Sequence, residues 1–301
     1  MPDYDQVLQE IANAGSGDVG INTVRRRYLR KLRTFTGRAT ILYSSCYDLK
    51  SAGSSQIGIV RDDVRAMMSA LYGVRGNELD LIVHSPGGST EGAEQIVNYL
   101  RAKFRHIRVI VPQCAMSAAT MIACASDRIV MGKHSAIGPI DPQISLEDGS
   151  DVPAQSLIDE YRFAKKEMLR SPQTELPWSA KITHTPRGLL ILCRNEIKRS
   201  RRIVESWLRK YMFKGRKNAS SLGAKVAKWL STYSEHLTHG RPIGIRVARK
   251  HGLVVDALED NQVLQELVLS IHHAAVATFL GTQCVKIVEN HDGRGSFMAS
   301  C

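Results

Sequence analysis

The chain has 301 residues, of which 43% are hydrophobic and 23% charged. That balance excludes a disordered or fibrous protein and supplies enough apolar material for one large domain or two small ones. The formal net charge of +12 is local: residues 165–250 hold 21 Lys and Arg against 5 Asp and Glu, a segment at +16, and the rest of the chain stands at −4.

Residues 1–20 are polar and Gly-containing and read as a flexible N-terminal arm. Their acidic, polar character lacks the basic start and apolar middle of a secretory signal, so a cytoplasmic location is expected. Val24, Tyr28, Leu29 and Leu32 recur at helical spacing and predict an amphipathic helix over about 21–35. Apolar runs at 39–43, 79–83, 107–111 and 129–131 then alternate with helical patterns over about 61–71, 91–104 and 117–125. Strand followed by helix, repeated, predicts an α/β core with a largely parallel sheet, placed at 21–185. The longest apolar stretch, 107–126, is interrupted by Arg108, Pro112 and Gln113, so it reads as strand plus helix and no membrane span is expected. Pro139 to Pro153 carries three prolines that exclude continuous helix and reads as a loop suited to a hinge or lid. From Pro186 onward helical spacing takes over, with helices predicted over about 188–214, 219–231, 243–251 and 259–280. The expected domain plan is a helical annex at 186–289 packing on the core and a loose tail at 290–301. Six cysteines lie far apart without CxxC or zinc spacing, so neither a disulfide framework nor a metal is indicated. GxxxxGK[ST], GxGxxG and HExxH are absent, and no cofactor is implied.

Two turns carry chemistry. The segment HSPGGSTEG sets Pro86, Gly87 and Gly88 between a strand and a helix, where glycines allow a strained turn that brings bare amides to a ligand. An oxyanion needs such donors; a plain strand-to-helix turn needs none and is the alternative. In VIVPQCAMSAAT a strand ends at Pro112 and Ser117 opens a helix of small residues. A hydroxyl there lies at the positive end of the helix dipole, with the Ala118 amide beside it, which suits a nucleophile. Serine is also a common helix N-cap.

HSPGG, then AMSA with IGPIDPQ, then THGRPI with HGL occur in the order found in the serine dehydrogenase proteinase family, and over roughly residues 20–255 the chain resembles that family, a branch of the Clp protease and crotonase superfold related to signal peptide peptidase A. The resemblance implies a repeated β-β-α fold and an ATP-independent serine peptidase, with Ser117 as nucleophile and amides near Gly87, Gly88 and Ala118 as oxyanion hole. Alanines Ala118 and Ala119 stand where many relatives are expected to have glycine.

The general base has several candidates. In Clp proteases a histidine follows the serine by about 25 residues; here that window is IGPIDPQ, without one. Relatives of signal peptide peptidase A use a downstream lysine, and Lys165 and Lys166 fall at a matching distance, although a lysine works only if burial lowers its pKa. His239 lies in the segment resembling the one that supplies the third triad member in Clp proteases, with His236 close by. His84, before SPGG, reads as a residue orienting the glycine turn. Asp141, Glu147 and Asp148 read as solvated members of an acidic loop.

The expected function is therefore a serine peptidase acting on a peptide or protein through an acyl-enzyme on Ser117, with His239 as base and Lys165 or Lys166 as second choice. Rival readings are a crotonase-like enzyme on an acyl-CoA thioester, which uses oxyanion turns without a nucleophilic serine, and a non-catalytic scaffold. Apolar faces at 188–214 and around Leu264, Leu267, Val268 and Ile271 predict a homo-oligomer. The basic 165–250 segment suggests association with an acidic partner without base-specific readout.

Overall fold

The computed structural model describes residues 3–47, 49–50 and 53–300. Two helices, α1 (Tyr4–Ala14) and α2 (Gly17–Thr36), precede β1 (Ala39–Ser45). The alternation continues through α3 (Ser54–Ile57), α4 (Asp63–Leu71), β2 (Glu78–His84), α5 (Thr90–Lys103), β3 (His106–Val111), β4 (Cys114–Ala115), α6 (Ala118–Cys124), β5 (Arg128–Met131) and β6 (Ala136–Ile137). A hairpin of β7 (Gln143–Ser145) and β8 (Asp151–Pro153) leads into α7 (Ala154–Arg170), α8 (Glu175–Thr183) and α9 (Leu189–Lys210). The chain closes with α10 (Ala219–Ser231), α11 (Tyr233–His236), α12 (Ile245–Lys250), β9 (Val255–Ala257), α13 (Gln262–Gly281), β10 (Cys284–Asn290) and β11 (Gly295–Ala299).

Seven strands form the main sheet in the order β11-β10-β1-β2-β3-β5-β9, parallel from β1 to β9, with β10 antiparallel to β1 and β11 antiparallel to β10. Both faces are covered, which is why the central strands read as unbroken apolar runs. Ile41, Tyr43, Leu81, Val83, Val109 and Ile129 point into the core shared with α4, α5, α6, α9 and α10. Leu42, Ile82, Ile110 and Val130 point the other way, onto α2 and α13. Among the described residues α13 is long and apolar enough to cross a membrane by length and composition, yet 67% of its apolar stretch is buried inside the protein.

Four expectations change. Residues 4–14 of the expected flexible arm are helical, because Val7 and Ile11, one turn apart, pack on Ile21, Val24, Ala274 and Ala277. Residues 295–299 of the expected loose tail pair with β10. The expected all-helical annex contributes β9 and β10 to the main sheet, and its helices α9 and α10 place Val204, Leu208, Val226 and Leu230 in the main core. β10 escaped the hydropathy pattern because Lys286, Glu289 and Asn290 are buried polar residues with partners. Lys286 meets Asp63, Glu289 meets Arg25 and Arg26, and the Asn290 amide donates to the Ala70 carbonyl. Pro139–Pro153 is not a lid-like loop throughout, since β7 and β8 pair within it.

Candidate active site

Past β3 the chain turns at Pro112 and Gln113 and enters β4, which pairs with the end of β2. The Ser85 amide donates to the Cys114 carbonyl at 3.0 Å, and the Met116 amide to the Ser85 carbonyl at 3.0 Å. These bonds bring the two sequence turns side by side. Ser117 then takes φ 50° and ψ −117°, and its side chain makes no capping bond to α6. A positive φ in a residue with a Cβ costs about 1–3 kcal/mol and persists only where the surroundings impose it. The N-cap reading of Ser117 is thereby replaced by a strained strand-to-helix elbow that leaves the hydroxyl half-buried at the turn.

The glycine turn is built against this elbow. Gly87 has φ 100°, and a Cβ there would lie 2.6 Å from both the Ser117 Cβ and the Met116 carbonyl oxygen, so only glycine fits. Gly88 has φ 138° and meets the Ile59 backbone, where a Cβ would be 2.5 Å from the Ile59 amide nitrogen. The Ile59 amide donates to the Gly87 carbonyl at 2.6 Å and the Ser89 amide to the Ile59 carbonyl at 2.7 Å. The 58–60 segment is itself clamped by a buried network: Lys286 Nζ donates to the Gly58 carbonyl at 2.6 Å and meets Asp63 Oδ1 at 3.0 Å. Asp63 Oδ2 accepts from the Tyr43 hydroxyl at 2.7 Å and the Val60 amide at 2.9 Å. The Gly87 amide is committed to Ser85 Oγ at 3.2 Å. Among the described residues the amides of Gly88 and Ala118 make no backbone hydrogen bond, and Ala118 opens α6, where no preceding carbonyl of the helix can accept from it.

A histidine and a carboxylate meet on the neighbouring segment. β6 pairs with β4, and the Gly138 amide donates to Thr120 Oγ1 at 2.9 Å, tying this strand to α6. Ile137 and Ile243 exchange backbone bonds of 3.1 and 2.8 Å, which brings in the turn before α12. Ile140 is pinned from both sides, its amide by the Leu230 carbonyl at 2.9 Å and its carbonyl by Ser200 Oγ at 2.8 Å. Asp141 follows, only 3% exposed, and its Oδ1 lies 2.9 Å from His239 Nδ1 while its Oδ2 accepts from Gln143 Nε2 at 2.8 Å. An ionised carboxylate only accepts, so Nδ1 carries the proton and Nε2 is left as the basic nitrogen of a half-buried ring. Among the described residues Ser117 Oγ makes no hydrogen bond in this resting arrangement; such bonds tighten when substrate binds.

Asp141 was assigned to a solvated acidic loop, and burial corrects that assignment. The available signal was the isolated acid between Ile140 and Pro142 in IGPIDPQ, a segment whose resemblance was noted for other reasons. His236 is buried, with Nε2 2.9 Å from the Trp229 carbonyl and its ring against Trp229, and has a structural place. His84 is buried on the α13 face, accepts the Cys114 amide on Nδ1 at 3.3 Å, and packs edge-on against His272. Burial pushes its pKa down to about 4, so the ring is neutral. Lys165 and Lys166 are exposed on α7, which packs on α8 and α9, and neither has the desolvated setting a neutral lysine needs. Among the described residues no cluster of three or more His, Cys, Asp or Glu side chains is arranged to hold a metal ion.

The parallel sheet thus carries a strained serine elbow, a glycine turn seated on it and a histidine–aspartate pair just beyond the strand paired with it. Residues 59–275 match the model of the ClpP-like SDH-type serine proteinase family, and the chain belongs to that family. Among curated proteins it is 36% identical over 99 residues to an uncharacterised protein of Methanocaldococcus jannaschii, a match covering 33% of each chain. A second uncharacterised protein of that organism is 41% identical over 83 residues, covering 28% of this chain and 27% of the other. The chain thus spans about a third of the length of the curated relatives it matches. Among solved structures, a serine-to-alanine mutant of the 1510-N membrane-bound stomatin-specific protease aligns with TM-score 0.38 and 15% identity, over 66% of this chain and 75% of that one. A ClpP1 mutant from Listeria monocytogenes aligns with TM-score 0.39 and 13% identity, over 79% of this chain and 98% of that one.

Proposed function

We propose that the chain is a serine peptidase that cleaves peptide bonds through an acyl-enzyme on Ser117, with His239 as general base and Asp141 as the group that orients it. The observation that carries this reading is the 2.9 Å bond between His239 Nδ1 and the buried Asp141, on a segment paired to the one that bears the Ser117 elbow. The carboxylate holds the tautomer that leaves Nε2 unprotonated and stabilises the imidazolium formed in the reaction. Ser117 Oγ attacks the scissile carbonyl as His239 Nε2 takes its proton. The oxyanion is held by the free amides of Gly88 and Ala118 in place of the broader set around Gly87, whose own amide is held by Ser85. Collapse of the tetrahedral intermediate expels the amine with the proton from His239, and water then repeats the sequence to release the acid.

The elbow favours this over the acyl-CoA alternative, which has no use for a strained serine. Lys165 and Lys166, exposed on α7, are set aside as bases in favour of His239. Leu264, Val268 and Ile271, expected to face a second copy, are buried within the chain, and self-association rests instead on apolar side chains left exposed, Leu169 and Leu176 at 79% and 82%.

Cleavage of a fluorescently labelled unfolded protein by the purified chain and by its Ser117→Ala variant tests the reading. Wild type is expected to release peptides and Ser117→Ala to release none while melting within about 2 kcal/mol of wild type. Equal release by both overturns it.

A further inference from the structure

α7 and α9 run together with a groove of about 430 Å³ between them, and its lining carries five basic side chains against one acidic. Arg162 of α7 and Arg194, Lys198, Arg201 and Arg202 of α9 line it. On α9 these positions recur at spacings of three and four, so the four side chains share one face. Arg162 pairs with Asp159 at 3.0 Å on the surface; among the described residues the other four make no ion pair. Arg194 with Lys198, and Lys198 with Arg202, are like charges one turn apart, an arrangement that weakens a helix. Glu205, one turn beyond Arg201 and Arg202, offsets only part of this repulsion. An anion in the groove would relieve it.

We propose that the α7–α9 groove is a docking site for an acidic segment of a protein partner, and this holds independently of the peptidase reading. Three features select an acidic peptide over a nucleic acid. The floor is made by Ile158 and Ile197, which suits aliphatic side chains between carboxylates. The lining holds no aromatic ring on which a base would stack. Glu205 also lines the groove, so a continuous phosphate track would meet a carboxylate, whereas a peptide can place a neutral or basic residue there. The guanidinium groups accept carboxylates in pairs of parallel hydrogen bonds, which gives the site geometry as well as charge.

The test is fluorescence anisotropy with the full chain and a fluorescein-labelled decapeptide of alternating Glu and Leu at about 50 mM salt. Saturable binding is expected, weakened at least about tenfold in Lys198→Glu/Arg202→Glu and less than about threefold in Lys214→Glu/Lys217→Glu, which makes the same charge change at exposed positions outside the groove. Circular dichroism melting confirms that both double variants fold. Absence of saturable binding, or an equal loss in the two double variants, overturns the proposal. So does a single-stranded DNA decamer that binds tighter than the peptide and is lost in the groove variant alone, which would assign the groove to nucleic acid.

Discussion

The sheet core and the α7–α9 arm treat charge in opposite ways. In the core, charges are buried and each has a partner: Lys286 and Asp63 are both 2% exposed, and Arg25 and Glu289 are fully enclosed at 2.8 Å. Asp80 of β2 joins Arg38, just before β1, and Arg108 of β3, each at 2.7 Å. On the arm, many charges face water, and the Arg162–Asp159 pair holds side chains that stay more than half exposed. A buried pair contributes through geometry, because neither partner tolerates removal of the other. A surface pair contributes little to folding and leaves its charges available to a ligand. The Lys286–Asp63 pair is thus part of how the glycine turn is placed, whereas the arm's charge is a property of its surface.

This contrast can be broken at graded cost. The largest stability effect is expected for Lys286→Met, which leaves Asp63 buried and unpaired and should lower unfolding free energy by about 3–5 kcal/mol in urea denaturation. A change under 1 kcal/mol would mean that the network is incidental. A smaller effect is tied to His84. Its ring titrates near 4 in the fold against 6.5 when unfolded, so between those values the unfolded chain binds more protons. Stability should be complete above pH 6.5 and fall by about 3 kcal/mol as the pH drops to 4, with His84→Gln flattening the profile. His272, also pushed down by burial and by the neighbouring histidines, acts in the same direction and leaves a residual slope in that variant. The smallest effect belongs to the arm: Arg162→Ala should change stability by no more than about 0.5 kcal/mol, measured the same way.

The two regions also differed in how far they could be read from sequence. β1, β2, β3 and β5 were legible because burial on both faces writes an apolar run, and the SPGG and AMSA turns were legible because glycine and small residues mark strained backbone. β10 was not, since its partners Asp63, Arg25 and Arg26 lie more than two hundred residues away and its own buried charges look like a surface. Asp141 was missed for the same reason: a carboxylate in a proline-rich stretch looks solvated until Ile140 is seen pinned between α9 and α10. Gln143, which holds the second oxygen of Asp141, carried no signal beyond its place in IDPQ. The choice between His239 and the lysines depended on exposure, which spacing does not encode.

The central claim is that His239, held by Asp141, activates Ser117. It is tested most directly by the second-order rate of Ser117 labelling with a fluorophosphonate, which needs an activated serine but no knowledge of the natural substrate. His239→Ala should lower that rate by at least about a thousandfold, and Lys165→Ala/Lys166→Ala should leave it within about twofold of wild type. Wild-type labelling in His239→Ala together with loss in the double lysine variant would contradict the account.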